Sequence, residues 1–215
     1  MIELLIKGGL SYLVGSVVAS LLIGRLRGVD IRTLGSGNAG ATNAMRTLGG
    51  KVALVIFVID LLKGWIATGA IAPWTPFASL AATPEVAAWS FPVCGLAVML
   101  GHVYPLWYGF RGGKGMATLL GCALGINAWL AIPMLITWIA AVTLLGFVSL
   151  GSILASAALA VALAATHAGT PLVTYGVLAL IFITFTHRAN IARMRAGTES
   201  RARRLWLFGT RRGQA

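Results

Sequence analysis

Residues 116–148 read MATLLGCALGINAWLAIPMLITWIAAVTLLGFV, an apolar run of 33 residues without a single charge. At about 1.5 Å per residue one helix of that length would reach about 50 Å, well beyond a hydrocarbon core of about 30 Å. The one interruption is Gly125-Ile126-Asn127. The stretch therefore predicts a short helix over about 116–126 and a full one over about 129–147. That division decides the fold, because it sets on which side of a membrane everything C-terminal to it lies.

Outward from this run, the 215-residue chain is 58% hydrophobic and only 10% charged. Soluble domains carry about 25% charged residues, so the composition is that of an integral membrane protein. Further spans are predicted over about 4–23, 52–72, 86–100, 151–165 and 172–186, giving seven helices with the short one. The first is expected to be a retained span, not a cleaved signal. The residues from Pro73 to Pro84 form a loop without cations. The predicted fold is an all-α bundle of about seven transmembrane helices forming one domain over 1–215. Its N-terminus is outside, its C-terminus is cytoplasmic, and an arginine-rich tail starts at about 200.

Charge tests the parity. With the N-terminus outside, the inner segments are 24–51, 101–115, 147–152 and 187–215. Of the 17 Lys and Arg, Lys7 lies near the outer end, Lys63 lies inside a helix, and the other 15 fall inside. That obeys the positive-inside rule. Reading 116–148 as one helix would put eight tail arginines outside. The net charge of +12 is thereby assigned to topology and contact with anionic lipid, not to nucleic acid.

The inner segments carry the polar chemistry. Gly101–Thr118 reads GHVYPLWYGFRGGKGMAT, with Gly112, Gly113 and Gly115 around Lys114. Unshielded backbone N–H groups beside a fixed cation suit a phosphate. Tyr108 stands where a P-loop needs its first glycine, so this is not a nucleotide loop. Residues 35–46, GSGNAGATNAMR, match G-x-G-x-x-G. A transmembrane helix follows them, however, where the dinucleotide fingerprint needs a βαβ unit. What remains is a set of small donors, Ser36, Gly37, Asn38, Thr42 and Asn43, with Arg46 as a bidentate anion clamp. Ser149-Leu-Gly-Ser152 is a small-residue turn, suited to close helix packing or to a ligand. His187, Asn190 and Arg193 begin where the last helix leaves the membrane, with Glu199 beyond, and at helical spacing His187 and Asn190 share a face with Met194. Asp60 and Lys63 stand three apart inside a span, either as a mutual pair facing the bundle or as support for Arg46 or Lys114. Cys94 and Cys122 fall in apolar runs and read as buried free thiols.

Five scattered carboxylates, Glu3, Asp30, Asp60, Glu85 and Glu199, do not form the clusters that hold Mg²⁺, and no Cys/His grouping suggests zinc. No metal or other cofactor is expected. Glycine-rich, cation-bearing segments on one face describe a site for phosphate-bearing molecules open to lipid. That leaves transport of an organic phosphate, or an enzyme joining a soluble phosphate to a lipid. The outer loops offer too few polar groups for alternating access.

The blocks GSGNAGATNAMR (35–46), GHVYPLWYGFRGGKGMAT (101–118) and HRANIARMRAGTE (187–199), in that order, resemble the signatures of the bacterial acyl-phosphate:glycerol-3-phosphate acyltransferases, the PlsY family. Asp60-Leu-Leu-Lys63-Gly64 and residues 149–152 are also similar. Met116 replaces an expected valine, and Gly151 stands where many relatives carry serine. The resemblance runs to about Arg204. It implies transfer of an acyl group from a long-chain acyl phosphate to the 1-hydroxyl of sn-glycerol 3-phosphate, at the cytoplasmic face of the bacterial inner membrane. The products are lysophosphatidic acid and inorganic phosphate, in the first step of phospholipid synthesis, with a functional link to the enzyme that makes the acyl phosphate. It implies a catalytic set of Ser36, Arg46, Lys114, His187 and Asn190. Substrate and phosphate contacts would come from Gly37, Asn38, Thr42, Asn43, Gly112, Gly113, Gly115, Thr118, Ser149, Arg193 and Glu199. His187 has two open roles, general base or phosphate ligand. No H-x4-D motif follows His102, His167 or His187, as the fifth residues on are Trp107, Leu172 and Ala192. No G-x-S-x-G supports an acyl-serine.

Overall fold

The structure, a computed structural model, describes residues 1–75, 82–203 and 205–208. Residues 76–81 of the loop before Pro84, and Arg204, Arg211 and Arg212 of the tail, lie outside the described residues. Among the described residues every regular element is helical: α1 (Ile2–Ser16), α2 (Ala19–Leu26), α3 (Ala41–Thr47), α4 (Gly50–Trp65), α5 (Pro84–Ala87), α6 (Ser90–Val103), α7 (Met116–Ile126), α8 (Ala131–Leu145), α9 (Val148–Ala165), α10 (Thr170–Thr186) and α11 (Arg188–Arg195). α4 runs on as a π-helical turn over Ile66–Ile71.

Four helices are long and apolar enough to cross a membrane, and six are if two bent pairs each count once, α1 with α2 at 40° and α10 with α11 at 58°. The shorter apolar α7 stands beside them. The break inside 116–148 falls where the sequence places it. Asn127 leaves the helix in extended conformation, and its Oδ1 accepts from the Trp129 N–H to start the next turn. One expectation fails. Residues 149–152 are not a turn but the first turn of α9. The chain reverses one step earlier, where Gly146 ends α8 at φ +79°, a left-handed conformation natural to glycine.

Outward faces carry large apolar side chains, among them Leu54, Val58, Ile136, Ile139, Val161, Val177 and Ile181. A water-facing surface would not sustain that band, whereas lipid does. Inside, small residues let helices meet backbone to backbone. A Cβ on Gly101 would lie 2.2 Å from the Tyr12 carbonyl oxygen and one on Gly15 2.2 Å from that of Val98, so α1 and α6 cross there. Gly64 and Gly121 do the same for α4 and α7. Gly151, against Val142 and Trp138, serves packing.

Polar residues pin the bundle at both ends. At one end Lys7 lies 2.5 Å from Glu3 and donates to the Ala72 carbonyl at 2.8 Å. Towards the other end, Lys63 Nζ lies 2.9 Å from Asp60 and 2.7 Å from His102 Nδ1. The same ammonium donates to the carbonyls of Gly15 and Val17, both at 3.1 Å. Those carbonyls lack helical partners because α1 and α2 are broken at Val17-Val18. Lys63 thus fills the break, and Asp60 compensates its charge. Cys94 and Cys122 are buried free thiols.

Candidate functional site

Lys114 ends a loop that two neighbours shape. Gly112 and Gly113 lie so close to His102 that a Cβ on the first would stand 2.0 Å from its carbonyl oxygen, and on the second 2.2 Å from Nε2. Their N–H groups donate to the carbonyls of Val103 at 2.9 Å and His102 at 3.1 Å. The expectation that these N–H groups are free for phosphate is corrected: they fold the loop back on α6. The imidazole they pack against is held by Lys63 and Asp60, which form the mutual buried pair that the sequence suggests and meet the Lys114 loop through His102. Gly115, at φ +88°, is the N-cap of α7. The α7 N–H groups of residues 116–118 precede the first helical acceptor, and they supply the anion-seeking end that Gly112 and Gly113 do not. Thr118 is fully buried, and its Oγ1 has no hydrogen-bond partner among the described residues.

Around Lys114 a network closes. Its ammonium hydrogen-bonds Asn190 Oδ1. Asn190 Nδ2 donates to Glu199 Oε1 at 2.6 Å, Ser149 Oγ donates to the same oxygen at 2.9 Å, and Arg193 Nε donates to Oε2 at 2.7 Å. The Thr186 hydroxyl donates to the Lys114 carbonyl at 3.1 Å. The loop that leads into α7, with α9 and α11, therefore converges on one carboxylate and one ammonium, while α10 holds the Lys114 backbone through Thr186. Burial, with the cations of Arg193 and Arg46 opposing the Glu199 carboxylate, brings Lys114 down from 10.5 to about 8. Burial raises Glu199, but hydrogen bonds from Asn190, Arg193 and Ser149 outweigh it and hold the acid below its ordinary 4.5.

His187 sits on the turn after α10, outside the span, and is buried. Its Nδ1 lies 2.8 Å from the Ile183 carbonyl oxygen. A carbonyl only accepts, so Nδ1 carries the proton and Nε2 presents a lone pair. Burial and the nearby Lys114 cation lower the ring from 6.5 to about 4. It is neutral at pH 7, and it is not the carboxylate-oriented base of a triad.

The first block is built differently from its expectation. Asn43 is buried, its Oδ1 accepting the Ser36 N–H at 2.9 Å while Nδ2 donates to the carbonyls of Ile31 and Leu34 at 3.1 and 2.9 Å. Both ends of the amide are used in shaping the loop, so Asn43 is a staple and not a ligand. The Gly37 N–H is likewise spent on the Leu34 carbonyl at 3.0 Å. Ser36, Thr42 and Arg46 are exposed and Asn38 half-exposed. Arg46 is near enough for its charge to act on Lys114, and the Ala39 carbonyl lies 3.1 Å from where a Gly113 Cβ would be. Two contributors escaped the motif reading. Arg32, paired with Asp30 at 2.8 Å, donates to the carbonyls of Tyr108 and Arg111, both at 3.0 Å, tying the first loop to the second. Thr186 lies just outside its block, and no sequence pattern signals its contact.

Among the described residues no group of three or more His, Cys, Asp or Glu is placed to hold a metal. The site thus gathers Lys114, Asn190, Arg193 and Ser149 around the Glu199 carboxylate, with the charge of Arg46 acting on Lys114. It can bind and orient phosphate-bearing molecules.

A family model described as glycerol-3-phosphate acyltransferase matches residues 5–197. The chain is 42% identical over 201 residues to the glycerol-3-phosphate acyltransferase of Geobacter sulfurreducens, covering 94% of this chain and 98% of that one. It is 39% identical over 197 residues to that of Sinorhizobium fredii, covering 88% of each. In fold it is similar to the crystal structure of PlsY (YgiH), an integral membrane glycerol 3-phosphate acyltransferase, in its glycerol 3-phosphate form. The TM-score is 0.82 at 33% identity, over 92% of this chain and 94% of that one. The lysophosphatidic acid form of that enzyme matches at a TM-score of 0.80.

Proposed function

The chain belongs to the glycerol-3-phosphate acyltransferase family, and from that premise we propose that it moves a fatty acyl group from a long-chain acyl phosphate to the 1-hydroxyl of sn-glycerol 3-phosphate. The reaction takes place at the cytoplasmic face of a bacterial inner membrane, within one transmembrane domain. The observation that carries the reading is Lys114: a cation largely withdrawn from water, tied to Asn190, at the meeting point of four helices. Such a group is matched to an anion brought to it.

Seven crossings with the N-terminus outside put 15 of 17 cations and every block on one side, which supports the topology. Lys114, Arg46 and the α7 N-terminus hold phosphate oxygens. Arg193 and Ser149 fix Glu199, which through Asn190 aims the ammonium. An acyl phosphate is a mixed anhydride whose leaving group needs little protonation, so the demand falls on charge: two phosphates side by side, then the oxyanion of the tetrahedral intermediate. The hydroxyl oxygen of glycerol 3-phosphate attacks the acyl carbon. The carbon–oxygen bond to phosphate then breaks, and phosphate departs with the electron pair. A ring held near 4 is a weak base, so Nε2 of His187 accepts the hydroxyl hydrogen bond and orients it, and the proton finishes on a phosphate oxygen. Lysophosphatidic acid and inorganic phosphate result. A donor this prone to hydrolysis ties the enzyme functionally to the one that makes it.

The test is glycerol 3-phosphate-dependent phosphate release by the purified protein, given palmitoyl phosphate or palmitoyl-CoA, with EDTA present. Release from palmitoyl phosphate alone is expected. Activity only with palmitoyl-CoA would overturn the donor, and silence with both would return the site to phosphate transport.

A further inference from the structure

Beyond residue 197, the last that the family model matches, the chain crosses back over the bundle. Two sets of contacts fix this strap. Upstream, the N–H groups of Thr198 and Glu199 donate to the Arg193 carbonyl at 2.8 and 3.2 Å. Downstream, the Ala202 N–H donates to the Gly146 carbonyl at 2.8 Å and the Leu207 N–H to that of Thr143 at 2.9 Å. Trp206 closes the second set. Its Nε1 donates to the Leu144 carbonyl at 3.2 Å, its ring covers Gly146 where a Cβ would stand 3.0 Å away, and the Arg201 guanidinium stacks 4.1 Å over it. The same guanidinium lies 4.8 Å over Phe147. Gly146 and Phe147 are the turn between α8 and α9, and Ser149 follows two residues on.

Glu199 therefore hangs between two anchors. One is the C-terminus of α11, and the other is the turn that Trp206 grips. We propose that Trp206 is a positioning residue for acyl transfer: by locking the strap on the α8–α9 turn it holds the Glu199 carboxylate against Ser149 and Asn190, and so aims Lys114. The proposal rests on the acyltransferase reading of this site. Without the downstream anchor, α11 would keep its bent junction at His187, the bond from Lys114 to Asn190 and the contact of Met194 with Ser149 at 3.8 Å. The residues after it, however, would be held to the bundle through Glu199 alone. A carboxylate on an untethered strap cannot keep three donors from two helices, Asn190 and Arg193 of α11 and Ser149 of α9, in register.

Two consequences separate this role from plain stability. The groups whose charges act on Lys114 are Glu199, Arg193 and Arg46, with neutral His187 beside it. Of these only Glu199 favours the charged ammonium, so loosening the strap moves the basic limb of activity, set by Lys114 near 8, to lower pH. In addition, an effect exerted through Glu199 vanishes when Glu199 is already neutralised.

The experiment uses the full chain and its Trp206→Ala, Glu199→Gln and double variants, reading kcat/KM and glycerol 3-phosphate binding across pH. Trp206→Ala should lower kcat/KM by about tenfold to 100-fold, as misplacement of a positioned group by about 1 Å does, and shift the limb acidward. The double variant should be no worse than Glu199→Gln alone. A native limb and native kcat/KM in Trp206→Ala would overturn the proposal, and so would losses that multiply fully in the double variant. Should Trp206→Ala not fold, Trp206→Phe, which keeps the stacking and drops the Nε1 donor, must show the limb moving the same way, and a native limb there overturns it. Wild-type protein that neither binds glycerol 3-phosphate nor turns over sinks the acyltransferase reading, and the proposal with it. A competent wild type with an indifferent Trp206 sinks the proposal alone.

Discussion

Replacing Lys114 by methionine keeps the length and apolar stem of the side chain and removes only the ammonium. Folding lowers this lysine from 10.5 to about 8. At about 1.36 kcal/mol per pH unit, holding the charge at this buried position costs the fold about 3 kcal/mol. The unfolded chain binds the extra proton between pH 8 and 10.5, so the wild type gains stability as pH rises through that window. Methionine escapes this desolvation. Its thermal midpoint at pH 7 should sit at or above that of the wild type, and the rise between pH 8 and 10.5 should be missing. Activity should move the other way. Losing one donor aimed at developing negative charge costs about 10²–10³ in turnover, and kcat/KM for both substrates should fall by that factor. Phosphate release and a pH series of thermal melts, done on the same preparation, read both quantities. Near-native kcat/KM in a folded variant would refute the reasoning. A loss of activity matched by a fall in the midpoint would refute it too, because the lysine would then be structural.

Three further outcomes are open to the same assays. His187→Asn should lower kcat/KM without removing an acid limb near pH 6.5, because the ring is held near 4; an acid limb near 6.5 in the wild type, absent from the variant, would make His187 the base. Gly113→Ala places a methyl 2.2 Å from Nε2 of an imidazole pinned by Lys63 and Asp60, so the Lys114 loop must move and turnover should drop about 100-fold. Gly9→Ala, where nothing lies within 4 Å, should be silent in both activity and melting.

The helices were legible because a bilayer enforces length and apolarity on each of them, and Gly125-Ile126-Asn127 was the one place where an overlong run could break. Lys114 and Asn190 stood out as polar residues at or just past the ends of apolar runs, whereas Ser149 suited packing as well as a ligand, and Glu199, beyond the last run, joined the set through the family resemblance. What escaped is what depends on partners far along the chain. Nothing near Gly112 and Gly113 says that the carbonyls of Val103 and His102 take their N–H groups. Asn43 looks like a ligand because its amide is free in sequence, and only the folded loop fills both of its ends. Lys63 shows an obvious partner three residues away, while its other task lies 48 residues back, at Gly15. The grip of Trp206 on Leu144 spans 62 residues and leaves no periodic trace.

The filled break in the first span also bears on the order of events at synthesis. Gly15 and Val17 emerge from the ribosome before Lys63, the lysine that donates to their carbonyls. Backbone oxygens left without donors in hydrocarbon cost several kcal/mol, so the first span can enter the bilayer but cannot take its final bent form until α4 arrives beside it. Lys63, for its part, is tolerable there only with Asp60 at hand. Each of the two segments therefore carries a defect that the other repairs, and the pair reaches its resting shape together.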